Sequence, residues 1–185
     1  FPAIGFMLNN DYPVVAIVSG SMEHKIVLNS VCDKRIMDVE SMSLDHDEWW
    51  EMCGSYYEKN YNLTKEDFIE YDYKNGLNIG DVMVLYGKDP EDIEVGEILV
   101  FVPEDKNFFT QKGPVIHRVV KKWQDEEGKY HFRTKGDHNS QSFDHFENDI
   151  SEDEVIAVAV FRVPFIGYAK IALNNIFTGI VSLVR

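Results

Sequence analysis

Two stretches of this chain open alike. Ile79-Gly80-Asp81-Val82-Met83-Val84-Leu85 and Val95-Gly96-Glu97-Ile98-Leu99-Val100-Phe101 each set a glycine and an acid ahead of an apolar run. Glycine admits the positive φ of a tight turn, and the β-branched and apolar residues behind it suit a pleated strand. Pro13 to Val18 and residues 115–123, 130–134 and 155–163 have the same strand character, with a polar hairpin-like stretch from Gln124 to Lys129. The pattern predicts a mainly β (α+β) fold with an antiparallel sheet.

Residues of about 29–75 break the pattern and read as a helical, aromatic insertion. Trp49, Cys53, Tyr56 and Tyr57 recur at helical spacing, and Asp45 with Glu48 forms a capping pair. Thr64-Lys65-Glu66-Asp67 makes a second cap, with Leu63 and Phe68 placed to staple it, which predicts a short helix through about Glu70. A chain of 185 residues holds one sizeable core carrying an insertion, so residues 1–185 are expected to form a single domain. The insertion would then be a cap beside a cleft or a docking surface. Both cysteines, Cys32 and Cys53, fall within it, and a disulfide and a pair of buried free thiols are equally open. Asn62-Leu63-Thr64 fits the N-glycosylation pattern.

Both ends are apolar. Ile4, Phe6, Met7 and Leu8 lie near the start, as if beside a trimmed anchor. Residues of about 164–185 are rich in Ile, Leu, Val and Phe but include Lys170, Asn174 and Asn175. That mixture predicts an apolar C-terminal helix, either of interfacial or docking type or packed on its own domain, rather than a full span. The 18 Lys and Arg against 32 Asp and Glu leave a formal net charge of -14, which repels phosphate backbones and argues against nucleic acid as a partner.

Hydrolysis of an amide by serine needs a base beside the hydroxyl and donors for the oxyanion. Ser21 stands in the small-residue turn Ser19-Gly20-Ser21-Met22, His117 within the strand Val115-Ile116-His117-Arg118-Val119-Val120, and Asp137 and Asp144 after Lys135-Gly136. Chain order neither supports nor excludes a triad, because triads recur in several orders on unrelated folds.

The blocks together resemble the type I signal peptidases. Ser19-Gly20-Ser21-Met22-Glu23 is similar to that family's serine box, and the two Gly-acid strands are similar to its framework strands. Ile116-His117-Arg118-Val119 is similar to its base-bearing strand, and Thr134-Lys135-Gly136-Asp137-His138-Asn139 to its Gly-Asp box, all in the family's order. Histidine at 117, where bacterial relatives carry lysine, places the resemblance in the archaeal and endoplasmic-reticulum branch. It implies a signal-peptidase-like β fold with Ser21 as nucleophile, His117 as general base, and the Ser21 N–H and Ser19 hydroxyl at the oxyanion. Asp144 is then expected to partner His117, with Asp137 as its support. Their separation, 144 minus 137, is seven residues, one more than the family's usual spacing. His24 also departs from the pattern, standing where the family often has proline, and Lys135 reads as a solvated or framework residue.

The resemblance further implies exported preproteins as substrates, bound by β-addition in shallow pockets for small residues, with no cofactor. The strand before Ser21 and the 95–102 strand are the expected pocket walls. It implies a membrane setting with the catalytic domain on the extracytoplasmic side, and the translocation machinery as a further partner. Three other readings compete: a self-cleaving repressor-type protease, disfavoured by a histidine base; a metal site among His131, Asp137, His138, Asp144 and His145, which follow no standard ligand motif; and a non-catalytic acidic interaction domain.

Overall fold

The computed structural model describes residue 9 and residues 13–103 and 114–164. The apolar residues near the start, and all but the first residue of the expected C-terminal helix at 164–185, lie outside these. Among the described residues no helix is long and apolar enough to cross a membrane.

Each of the expected strands forms. β1 (Val14–Ala16), β6 (Val82–Tyr86), β7 (Ile98–Phe101), β8 (Val115–Gln124), β9 (Tyr130–Lys135), β10 (Ile150–Ser151) and β11 (Val155–Val163) make one antiparallel sheet in the order β1-β6-β11-β7-β8-β9-β10. β10 had no counterpart in the sequence reading. The period-2 rule is clearest in β7, whose four residues are all buried. Ile98 and Val100 join Ile17, Met22, Leu77, Met83 and Leu85 on one face, while Leu99 and Phe101 join Val119, Phe132 and Ile150 on the other. Burying each such side chain contributes roughly 1.5–3 kcal/mol. Because β7 is paired on both sides and covered on both faces, Ile98 to Phe101 are core residues, and within the 95–102 stretch expected to wall the pockets it is Val102 that is exposed.

The repeated Gly-acid openings share one turn chemistry. Asp81 accepts from the Asn78 N–H at 2.8 Å, and Glu97 accepts from the Glu94 N–H at 2.8 Å. Gly80 and Gly96 take φ of 90° and 98°, where a side chain is strained. At Gly96 a Cβ would also stand 2.4 Å from the Tyr71 ring.

The expectation of helix across 29–75 needs correction in its first third. β2 (Lys25–Val27), β3 (Ser30–Val31), β4 (Lys34–Arg35) and β5 (Ser41–Ser43) form a second small antiparallel sheet, ordered β4-β3-β2-β5. Its two-residue turns place Leu28 and Asn29, then Cys32 and Asp33, at positive φ. That geometry usually carries Asn-Gly or Asp-Gly, so the residues did not announce it. The helices follow as read. α1 (His46–Tyr61) starts at a capping box of Asp45 and Glu48 and ends at Asn62 in the left-handed conformation, and α2 (Lys65–Glu70) starts at a box of Thr64 and Asp67. Ile26, Val31, Leu44, Trp49, Trp50, Cys53, Tyr57 and Phe68 pack together with Val120 of β8, so this region builds its own core against the sheet. A Cys32–Cys53 disulfide ties the small sheet to α1.

Candidate active site

Ser21 follows β1 through a turn fixed from several sides. Glu23 N–H donates to Gly20 O at 3.0 Å, Leu77 N–H donates to Met22 O at 2.8 Å, and the Met22 side chain is fully buried in the core. The Glu23 carboxylate accepts from Ile79 N–H at 3.1 Å, joining the serine turn to the first Gly-acid turn. A wider backbone at 76 would not fit: a Cβ there would meet Met22 O at 2.3 Å, and Gly76 has φ 71°.

His117 comes from β8, paired with Leu99 of β7. Its Nε2 lies 2.9 Å from Ser21 Oγ. Its Nδ1 lies 2.5 Å from Oε1 of Glu147, which is completely buried. The Glu147 carboxylate also accepts from Thr134 Oγ1 at 3.2 Å and from Phe143 N–H at 2.8 Å. A carboxylate so satisfied is an acceptor for the imidazole N–H, which leaves the Nε2 lone pair facing the serine hydroxyl. Ser19 Oγ stands 3.2 Å from Ser21 Oγ on the exposed side.

The two aspartates expected beside His117 are elsewhere. Asp144 is exposed and accepts from Asn148 Nδ2 at 2.5 Å. The chain makes one helical turn from 143 to 147, with Glu147 N–H donating to Phe143 O at 2.9 Å, and it is Glu147 that this turn brings inward. No motif marked Glu147, since the direction of a side chain in an irregular turn is not a spacing property.

Asp137 is fully buried and accepts from Arg118 Nε at 3.0 Å, from Arg118 Nη2 at 2.7 Å, from Tyr57 OH at 3.1 Å and from His24 Nε2 at 3.2 Å. Burial by itself would raise its pKa, but the Arg118 charge and the bonds from His24 and Arg118 outweigh burial and hold it well below the usual carboxylate range. Burial lowers the His24 pKa against the pull of Asp137, so His24 serves as a neutral donor. Lys135, expected to be solvated or part of the framework, is completely buried. Its Nζ donates to Asn139 O at 2.6 Å, Gly136 O at 3.0 Å and Tyr57 OH at 3.1 Å, and burial brings its pKa down to about 8 against the attraction of Asp137 and Glu147. The residues considered as metal ligands are dispersed: His131 lies between Asp149 and Asp125, and His138 on the Glu23 carbonyl. Among the described residues no group of three or more His, Cys, Asp or Glu is arranged for a metal ion.

A hydroxyl, an imidazole and a buried carboxylate in series is the geometry that serine hydrolases use, on unrelated folds, to make a nucleophile at neutral pH. The chain is 29% identical over 100 residues to the signal peptidase complex catalytic subunit SEC11C of Homo sapiens, covering 52% of this chain and 50% of the relative. It is 33% identical over 102 residues to the subunit SEC11 of Colletotrichum graminicola (52% and 55%) and 31% identical over 100 residues to that of Dictyostelium discoideum (52% and 52%). The chain spans about half the length of these curated relatives, and no family model matches it. Over that half it is a distant homologue of the catalytic subunits of the signal peptidase complex, the endoplasmic-reticulum and archaeal branch of type I signal peptidases.

Proposed function

We propose that this chain is the catalytic domain of a membrane-associated serine endopeptidase that removes signal peptides from exported preproteins on the extracytoplasmic side of a membrane. The observation that carries the reading is the Ser21–His117–Glu147 series, at 2.9 and 2.5 Å, in a chain homologous to signal peptidase catalytic subunits.

Ser21 Oγ attacks the scissile carbonyl as His117 Nε2 takes its proton. Glu147, held by Thr134 and Phe143, keeps the imidazole in the reactive tautomer and stabilises the imidazolium. The imidazolium then protonates the leaving amine, and water, deprotonated by the same nitrogen, hydrolyses the acyl-enzyme. The Ser21 N–H and the Ser19 hydroxyl receive the oxyanion, a role supported by the 3.2 Å approach of Ser19 to the nucleophile. Asp137 acts at a distance, neutralising Arg118 behind the turn. Among the described residues β1 is a sheet edge with exposed Val14, and Val18 beside the serine turn is also exposed, which supports addition of an extended substrate along this edge.

The test is incubation of the purified chain with an exported precursor carrying small residues at the first and third positions before its cut. Cleavage at one bond is expected, lost in Ser21→Ala and His117→Ala. A folded wild-type chain that leaves the precursor intact, or a Ser21→Ala variant that still cuts it, overturns the reading.

A further inference from the structure

One face of α1 reaches three separate pieces of the catalytic turn system. Trp49, Cys53 and Tyr57 follow each other at four-residue spacing, so they stand in a row along the helix. The Trp49 ring stacks on His24, three residues after the nucleophile, at 3.8 Å between centroids and 6° between planes. Cys53 is bonded to Cys32, whose N–H donates to His138 O at 3.2 Å, and the His138 N–H donates to the carbonyl of Ser21 itself at 2.8 Å. The Tyr57 hydroxyl donates to Asp137 and accepts from Lys135, whose ammonium closes the 136–139 turn through Gly136 O and Asn139 O.

That turn touches the catalytic pair. A Cβ on Gly136 would lie 2.8 Å from Ser21 O and 2.9 Å from His117 Nε2, so the turn backbone bears directly on both groups. A shift of the turn away from its site therefore displaces the hydroxyl relative to the imidazole, and proton transfer is sensitive to such displacements.

Resting on the peptidase reading, we propose that the inserted helix is an internal splint for the nucleophile, with Tyr57 and the Cys32–Cys53 disulfide as positioning residues for Ser21 and His117. They touch no substrate and act through the 135–139 turn. This gives the insertion a role different from the cap or docking surface expected of it. It also makes turnover dependent on an oxidising environment, because reducing the disulfide frees Cys32 and the His138 strut from α1.

The experiment uses the full chain in three forms: Tyr57→Phe, the Cys32→Ser/Cys53→Ser pair, and wild type reduced with dithiothreitol under native conditions. Folding is checked by circular dichroism, and kcat, KM and amide exchange at His138 are measured well below the melting transition. kcat is expected to fall about tenfold in each form with KM within about twofold, and His138 exchange to accelerate about tenfold. Asp47→Ala, which removes only a surface ion pair between α1 and Lys65 of α2, should leave kcat unchanged. If the cysteine pair fails to fold, Tyr57→Phe and the reduced wild type decide the matter. kcat and His138 exchange both within twofold of wild type overturn the splint. A wild type that cleaves no precursor instead sinks the peptidase reading, and His138 exchange then tests the splint alone.

Discussion

Replacing Glu147 by glutamine separates the acid that lies against His117 from the one that the family resemblance implied. The substitution keeps the shape but exchanges one acceptor oxygen for an NH2 in a site where all three neighbours donate: His117 Nδ1, Thr134 Oγ1 and Phe143 N–H. Phe143 is backbone and cannot turn its hydrogen away, so the amide oxygen stays on it and the NH2 faces the imidazole. His117 must then accept at Nδ1 and carry its proton on Nε2, which points at Ser21 2.9 Å away and cannot take the serine proton. The loss resembles that of a triad held in the wrong tautomer, about 10³–10⁴ in kcat. That corresponds to about 4–5.5 kcal/mol of transition-state stabilisation. KM should stay within a few-fold because Glu147 is fully buried and meets no substrate. Steady-state cleavage of a precursor peptide by Glu147→Gln and Asp144→Asn gives the answer. Asp144→Asn, altering an exposed side chain bonded to Asn148, should keep most of its activity. A Glu147→Gln enzyme retaining more than about a tenth of wild-type kcat, or an Asp144→Asn loss exceeding it, would refute the reasoning.

Asp137→Asn strips Arg118 of its counter-charge in a fully buried site and should destabilise the chain by about 3–5 kcal/mol, read as a fall in the urea midpoint. Gly96→Ala meets both a φ of 98° and the Tyr71 ring, so it should cost at least about 1–2 kcal/mol in the same assay. The hydrogen bond to Asp149, opposed by desolvation and aided by Asp125, raises the His131 pKa above its unfolded value. Its stabilisation is therefore full below about pH 6.5 and disappears as pH rises through the folded pKa. The melting temperature of His131→Asn should accordingly lie further below wild type at about pH 5.5 than at about pH 8.5, and equal gaps would contradict the linkage.

Much of the sheet was legible because strand formation is largely a local matter of apolar runs and turn residues. The Gly-acid openings before β6 and β7, the hairpin between β8 and β9, and the capping boxes of α1 and α2 are each closed within a few residues, so short windows of sequence carry them. The small sheet of β2 to β5 was not legible, since its turns put Leu28 and Cys32 at positive φ, a conformation they adopt only with support from elsewhere. In Cys32 that support includes a bond to Cys53, twenty-one residues away, and the composition left that pairing open. The blocks holding Ser21 and His117 could be named from the chain, but the 2.9 Å between them depends on β1 and β8 occupying their places in one sheet. The carboxylate was decided by tertiary structure alone. Asp137, Asp144 and Glu147 are chemically near-equivalent acids within one stretch, and which of them reaches an imidazole depends on how Arg118 claims the first and the 143–147 turn aims the other two.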